Sequence, residues 1–165
     1  MTSSSTPLIQ VSADSHLNQY SVRGISSVTG GATSNPPPVA APFGLWKSTD
    51  GGATFAFAWN GNASIRGVNH VEMDPSNNNI IYAAAFQQGV WRSTDGGATF
   101  GQIKTALNAA QNTDRAEFAV TKLPNGKTRI YVGVGNVGAP AASFFRTDDA
   151  TAPGPVFVNL TTAQN

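Results

Sequence analysis

Short apolar runs and clusters of turn-forming residues alternate along this chain. In its middle part, residues 69–73 alternate between apolar and polar, as a half-buried strand does, and residues 74–79 form a cluster of turn residues. Residues 80–86 are mostly apolar and rich in strand formers, which is typical of a strand that is covered on both faces. Residues 90–93 and 99–104 predict two more strands. The pattern therefore predicts four short strands in meander order.

An eight-residue stretch occurs twice in the chain. Residues 93–100 are identical to residues 48–55, which lie 45 positions earlier. Four strands at this period are typical of a propeller blade. The flanking sequence divides in the same way, into blade one at about 8–60 with a Pro-rich insertion at 30–42, blade two at 67–105 and blade three at 116–162. We therefore predict an all-β fold, a β-propeller segment of about three four-stranded antiparallel blades that form an incomplete propeller.

The outer two units are aligned on the middle one. In the third unit, Tyr131 takes the place of Tyr82, and residues 143–149 and 156–160 predict the last two strands. In the first unit, residues 9–14 predict the first strand and residues 20–28 the second. The long connections at 30–42 and 133–142 both join a second strand to a third, and they are either binding loops or tolerated insertions.

The repeated hairpin has a mechanical explanation. Its aspartates, Asp50 and Asp95, are expected to accept backbone N–H groups two or three residues on, and the glycine pairs allow the positive φ of a tight turn. Phe55 and Phe100 are expected to be buried, with Trp46 and Trp91 as packing partners on the other arm. A calcium loop would need more carboxylates at alternate positions and a closing Glu, so we interpret the hairpin as structural.

The spacing Ser-x-Asp-x-Gly-x-Thr-Phe resembles the Asp-box, or bacterial neuraminidase repeat. It matches at every defined position, namely Ser48, Asp50, Gly52, Thr54 and Phe55 in the first copy and Ser93, Asp95, Gly97, Thr99 and Phe100 in the second. The resemblance implies the β-propeller superfamily of sialidases, xyloglucanases and sortilin-like receptors, and an extracellular or periplasmic location. It also implies that the box clasps strands three and four at the rim, away from any ligand.

Composition excludes several classes of function. Charged residues make up 12% of the chain and the net charge is +1, which argues against a nucleic-acid-binding surface. Cysteine is absent, no apolar run is long enough to span a membrane, and the first residues do not form a signal peptide. The two histidines lack metal-ligand spacing, so neither a metal site nor a cofactor is predicted, and no catalytic residue is assigned.

Five residues remain as candidates for ligand binding, namely Arg66, Arg115, Asp114, Glu117 and Trp59. Arg66 and Arg115 hold equivalent positions before a first strand and can bind a carboxylate or sulfate; the alternative is a local ion pair of Arg115 with Asp114 or Glu117. Trp59 is either a platform for sugar stacking or a partly buried aromatic residue.

These features leave two functional hypotheses. The first is a non-catalytic segment of an extracellular Asp-box propeller that presents a glycan- or protein-binding face. The second is part of a sialidase- or xyloglucanase-like glycoside hydrolase whose catalytic carboxylates lie largely outside this chain. A three-blade arc leaves both end sheets without a neighbour. The expected partners are therefore the remaining blades of a longer chain or other copies in a ring, with carbohydrate as a further candidate.

Overall fold

The computed structural model describes residues 8–11, 21–22, 44–47, 49, 54–64, 67–105, 115–135 and 143–161. These residues form three antiparallel sheets of four strands each, which confirms the all-β propeller segment. The strands are β1 (Leu8–Val11), β2 (Ser21–Val22), β3 (Gly44–Lys47), β4 (Ala56–Trp59), β5 (Val68–Asp74), β6 (Asn77–Ala85), β7 (Gly89–Ser93), β8 (Gly101–Lys104), β9 (Arg115–Lys122), β10 (Thr128–Gly135), β11 (Ser143–Thr147) and β12 (Val158–Asn159). Within these ranges, no helix has the length and apolar character needed to cross a membrane.

The second and third sheets follow the predicted meander, with orders β5-β6-β7-β8 and β9-β10-β11-β12. Their registers correspond residue by residue. Tyr82 pairs with Arg92 in the second sheet, and Tyr131 pairs with Arg146 in the third. The two tyrosines therefore hold equivalent positions, as the sequence alignment predicts.

The first sheet departs from the prediction for its unit. Its order is β2-β1-β3-β4, so β1 lies beside β3 and β2 takes the outer edge. Residues 9–14 were expected to supply the first strand of a meander and residues 20–28 the second, and that order is wrong. Local alternation identifies a strand, but it does not determine which neighbour the strand pairs with, since that choice depends on long-range packing. The insertion at 30–42 lies outside the described residues.

Strand β6 forms the centre of the core because both of its faces are buried. Ile81 and Ala83 point towards the first sheet, where they pack with Leu45 of β3 and with Val68 of the neighbouring strand β5. Tyr82 and Ala84 alternate with them and point towards the third sheet, where they pack with a second cluster. That cluster includes Val90, Ala116, Phe118, Ile130, Val132, Val134, Phe145 and Ala150. The apolar run at 80–86 therefore has the two-sided burial that its sequence predicts.

A buried carboxylate links the second and third sheets. Asp74 is 2% exposed, and its Oδ2 accepts hydrogen bonds from the hydroxyls of Thr128, at 2.6 Å, and Tyr82, at 3.1 Å. The backbone N–H of Ser76 donates to the other oxygen of the carboxylate, Oδ1. Burial, together with the negative charge of Asp74, raises the pKa of Tyr82 above its ordinary value. Three donors therefore compensate for the cost of removing this carboxylate from water.

Basic side chains also connect each sheet to the next along the chain. Lys47 of the first sheet donates to the carbonyl of Gly96 at 2.8 Å. Arg92, which holds the same place in the second sheet, donates to the carbonyls of Ala150 and Ala152 at 2.6 and 2.7 Å. Gly96 and Ala150 occupy equivalent positions in the β7–β8 and β11–β12 hairpins. The same basic clamp, from one sheet to the hairpin of the next, therefore occurs twice.

Candidate functional site

A cluster of titratable groups lies where the edge strands β5 and β9 pack together. Side chains of alternate residues in a strand share a face, so His70 and Glu72 of β5 point the same way, towards β9. There they meet Glu117. Glu72 and Glu117 are the only glutamates in the sequence. Both of them therefore contact one imidazole.

The imidazole of His70 lies between the two carboxylates. Its Nε2 is 3.1 Å from Glu72 Oε1, and its Nδ1 is 2.7 Å from Glu117 Oε2. A neutral imidazole has one N–H donor, so two carboxylate contacts require the doubly protonated ring. The ring also packs edge-on against Phe118, with centroids 4.4 Å apart.

The electrostatics of the cluster agree with this geometry. Partial burial lowers the pKa of His70, but the hydrogen bonds and charges of Glu117 and Glu72 outweigh burial and raise that pKa from 6.5 to about 9. Burial would raise the pKa of Glu117, yet its hydrogen bond to His70 and the positive charge there hold it below the usual value. At neutral pH the cluster therefore contains an imidazolium and an ionised Glu117.

Two further polar side chains border Glu117. Asn69 Nδ2 donates to the Ala116 carbonyl at 2.6 Å and to Glu117 Oε1 at 3.4 Å. Its Oδ1 is buried and accepts no hydrogen bond from the described residues. Arg115 Nε lies 3.9 Å from Glu117 Oε1, and both side chains are more than half exposed. We refer to Asn69, His70, Glu72, Arg115 and Glu117 as the polar cluster.

The polar cluster is not arranged as a metal site. No group of three or more His, Asp or Glu side chains in the described ranges is placed to hold a metal ion. In the polar cluster this follows from the geometry, because the imidazole separates the two carboxylates, so their oxygens do not converge on one point.

The structure brings together only some of the ligand-binding residues predicted from the sequence. Arg115 and Glu117 are neighbours in the polar cluster, at the distance of the local ion pair that was the alternative interpretation. Arg66 and Asp114 lie outside the described residues. Trp59 lies between the first and second sheets instead, where its ring stacks on Phe100 at 4.4 Å and contacts Trp91 at 5.3 Å.

Sequence reasoning missed three members of the polar cluster. His70 was set aside because it has no metal-ligand spacing, and Asn69 and Glu72 were not considered. The signal that could have found them is the alternation in β5, which places His70 and Glu72 on one face. In a blade array, first strands of neighbouring sheets lie side by side, so this face of β5 would meet the β9 residues that include Glu117.

The second Asp-box copy forms a closed hydrogen-bonded hairpin. Asp95 Oδ1 accepts the Ser93 hydroxyl and the Thr99 N–H, and Oδ2 accepts the Thr99 hydroxyl at 2.6 Å. These bonds, led by the one from the Thr99 hydroxyl, lower the pKa of Asp95 to about 2. The carboxylate therefore reaches four residues on, beyond the two or three expected. Gly96 and Gly97 have φ of 69° and 91°, and the N–H of Gly97 donates to Ser93 Oγ.

The aromatic residues of the boxes pack differently from the expectation. Phe100 is half-buried and stacks on Trp59 of the first sheet, although Trp91 was its expected partner. Phe55 was expected to be buried, but it is 40% exposed. Trp46 instead contacts Phe57, with ring centroids 5.3 Å apart. Of the first copy, Ser48, Asp50 and Gly52 lie outside the described residues.

A cleft of about 370 Å³ lies between the first hairpin and the second. It is lined by Lys47, Thr49, Thr54, Phe55, Ala56, Phe57, Ala58, Gly97 and Ala98. Lys47 is the only titratable residue in this lining, and its ammonium already donates to Gly96. The polar cluster is therefore the better candidate site.

Comparison with known proteins yields similarity of structure only. No protein-family model and no curated protein matches the chain. Among solved structures, the GH74 enzyme of Niastella koreensis is 25% identical over 72% of this chain and 18% of its own, with a TM-score of 0.51. An ancestral GH74 enzyme is 20% identical over 75% of this chain and 16% of its own, with a TM-score of 0.52.

These similarities support a β-propeller fold of the glycoside hydrolase type. The chain spans less than a fifth of the length of either solved structure.

Proposed function

We propose that this chain is a non-catalytic segment of an extracellular glycoside-hydrolase-like propeller and that its polar cluster binds carbohydrate. The observation that carries the proposal is the position of one imidazole between the chain's two glutamates, at 3.1 and 2.7 Å. A cluster that keeps its charges fixed by mutual pairing is suited to binding. It is poorly suited to proton transfer.

The argument against catalysis rests on protonation. Hydrolysis of a glycosidic bond needs one carboxylic acid with a raised pKa to protonate the leaving group, and a second carboxylate as base or nucleophile. The pKa of Glu117 is held below its usual value. Glu72 is 8% exposed, so little of it is accessible to a substrate. Neither glutamate therefore has the properties of the required acid.

The argument for binding rests on the groups at the surface of the polar cluster. Glu117 offers acceptors and the Arg115 guanidinium offers donors, and both side chains are more than half exposed. A few fixed polar groups of both kinds are what a site needs to recognise sugar hydroxyls. The likeness to GH74 enzymes supports carbohydrate as the ligand class. The Asp-box resemblance supports an extracellular location.

Calorimetric titration against soluble neutral glucans and sialylated oligosaccharides tests this proposal. We expect binding of at least one of them, weakened about tenfold, or about 1.4 kcal/mol, by Glu117→Gln and by Arg115→Ala. Lys122→Ala, which removes a charge at the far end of β9, is the matched control and should leave affinity unchanged. Absence of binding, or binding that Glu117→Gln and Arg115→Ala do not alter, would refute the proposal.

The second candidate is a segment of a glycoside hydrolase whose catalytic carboxylates lie largely outside this chain. The specific observation in its favour is the 25% identity to a GH74 enzyme over 72% of the chain. In that case the chain alone releases no reducing sugar, whereas a longer protein that contains it does. Glu117→Gln in the longer protein should then raise KM and leave kcat unchanged. Release of reducing sugar by the chain alone would contradict both candidates.

A further inference from the structure

Two loops contain the strained backbone of the described part of the chain. Its residues other than glycine with a positive φ are Asn62 at 57°, Ala63 at 58° and Gln87 at 65°. Asn62 and Ala63 belong to the connection between β4 and β5, and Gln87 belongs to the turn between β6 and β7. This region of φ is unfavourable for residues with a Cβ, and strained positions cluster at ligand-binding sites. The strain therefore makes these two loops a candidate site.

Hydrogen bonds fix the two loops against each other. The N–H of Phe86 donates to the carbonyl of Gly67 at 3.0 Å, and the buried hydroxyl of Ser64 donates to the carbonyl of Phe86 at 2.7 Å. Within the β6–β7 turn, the N–H of Gln88 donates to the carbonyl of Ala85 at 2.9 Å. The main chain of both loops is therefore ordered before a ligand arrives, which lowers the entropic cost of binding.

Side-chain amides surround the β6–β7 turn. Asn62 Nδ2 donates to Gln88 Oε1 at 3.1 Å, while Gln102 Nε2 and the indole N–H of Trp91 donate to the Gln88 carbonyl at 2.6 and 2.8 Å. Each amide uses one half in these contacts. The other halves, Asn62 Oδ1, Gln88 Nε2 and Gln102 Oε1, make no hydrogen bond to the described residues. Asn62 and Gln102 are exposed and Gln88 is half-buried, so these positioned groups are accessible from solvent. We refer to Asn62, Gln88, Trp91 and Gln102 as the amide cluster.

The amide cluster lies at the same end of the second sheet as the polar cluster. Val68 at the start of β5 pairs with Ala85, the last residue before the β6–β7 turn, and His70 pairs with Ala84. Neighbouring strands are about 4.8 Å apart, so the first strand of the sheet and the far side of the turn are separated by about 10 Å. An oligosaccharide can span this separation, and a single sugar cannot.

The chemistry of the amide cluster favours an uncharged ligand. Amides and an indole carry no charge, and none of the described residues in the two loops is charged. Arg66, the one charged residue in the sequence of these loops, lies outside the described residues. Open amide oxygens accept hydrogen bonds from sugar hydroxyls, and an open amide N–H donates to them. The cluster therefore fits a neutral sugar better than an acidic one.

We propose that the amide cluster is a second carbohydrate subsite, which binds one end of a neutral oligosaccharide whose other end occupies the polar cluster. Asn62, Gln88 and Gln102 supply the hydrogen bonds to its hydroxyls. Trp91 is a positioning residue, because its indole N–H holds the carbonyl of the turn. The proposal rests on the proposed function, since it extends the carbohydrate site from the polar cluster across the end of the second sheet.

Calorimetric titration with the neutral glucan that binds best, and with oligosaccharides of increasing length made from it by partial acid hydrolysis, tests the second subsite. Asn62→Gly removes one amide and suits the positive φ, and Gln88→Glu keeps the size of the side chain but removes its open donor. We expect each change to weaken binding of the long oligosaccharides about fivefold and to leave binding of the disaccharide unchanged. Asn78→Ala removes an exposed amide at the opposite end of the second sheet, so it is the matched control and should change neither affinity.

A second measurement observes the amides directly and does not depend on a variant that folds. In NMR spectra of the wild type, the side-chain NH₂ signals of Asn62, Gln88 and Gln102 should shift on addition of the long oligosaccharides, and that of Asn78 should not. Signals that stay in place while a long oligosaccharide binds would overturn the proposal. A preference for sialylated oligosaccharides at the amide cluster would also overturn it.

Dependence on length separates this proposal from the proposed function. Binding that Glu117→Gln weakens, but that Asn62→Gly and Gln88→Glu leave unchanged at every length, would overturn the second subsite alone. Equal weakening of the disaccharide and of the long oligosaccharides would overturn it as well, because both ends of the ligand would then depend on one site. Absence of binding at any length would count against the proposed function, and the second subsite would fall with it.

Discussion

Protonation of His70 should stabilise the fold, and the effect should depend on pH. The ring is held between Glu72 and Glu117, and its pKa is raised from 6.5 to about 9. A group whose pKa is higher in the folded state binds its proton more tightly there. Its contribution is therefore complete below pH 6.5 and is lost as the pH rises through about 9.

The size of the effect follows from the structure. At 1.36 kcal/mol for each pH unit of pKa, the change from 6.5 to about 9 corresponds to about 3 kcal/mol. The side chain of His70 is 27% exposed and that of Glu117 is 53% exposed, so water and salt screen their attraction. We therefore expect about 1–2 kcal/mol in solution.

Urea unfolding of the wild type and of His70→Gln, at several pH values from just below 6.5 to just above 9, measures this contribution. Other groups titrate in both proteins, so they cancel in the difference between the two free energies of unfolding. We expect that difference to fall by about 1–2 kcal/mol across the interval. In an NMR titration, the His70 midpoint should lie near 9 and move towards 6.5 in Glu117→Gln. A difference that does not change with pH, or a midpoint at or below 6.5, would refute the reasoning.

Three further substitutions test the contacts within and between sheets. Arg92→Ala removes two charge-assisted bonds to hairpin carbonyls and should lower the free energy of unfolding by about 2 kcal/mol, against less than about 0.5 kcal/mol for the exposed Lys122→Ala. Asp74→Ala leaves two buried hydroxyls without an acceptor and should cost about 3 kcal/mol by urea unfolding; a loss below about 1 kcal/mol would contradict this interpretation. Asp95→Ala should lower the melting temperature measurably more than Thr94→Ala in the same exposed hairpin, and equal melting temperatures would show that its hydrogen bonds contribute little.

Much of the fold could be predicted from the sequence, because the repeated stretch shows the same hairpin at two places in the chain. The identical hairpins fix the register, and alignment of Tyr82 with Tyr131 locates the strands of the second and third sheets. The first sheet was harder to predict, because β1 and β2 are short and no second copy of their sequence constrains them. Its outer edge is Ser21–Val22, a strand of two residues, and so short a segment carries almost no periodicity.

The candidate site was less predictable than the fold for a different reason. The contacts of His70 cross from one sheet to another, and local periodicity describes one strand at a time. A histidine with a single neighbouring glutamate looks ordinary in the sequence, and its high pKa arises only when Glu117 reaches the other ring nitrogen. Phe55 is a second case in which local sequence does not determine the outcome. Its exposure depends on what covers the first sheet and not on the hairpin to which it belongs.

The clamp between sheets recognises the main chain of the next hairpin. Arg92 donates to the carbonyl of Ala150, and Lys47 donates to that of Gly96, so the backbone of either alanine or glycine can be the acceptor. A mutation in the accepting loop therefore preserves the contact as long as the loop keeps its path. Repeat units joined in this way can diverge in sequence, or be duplicated and exchanged, without losing compatibility with their neighbours.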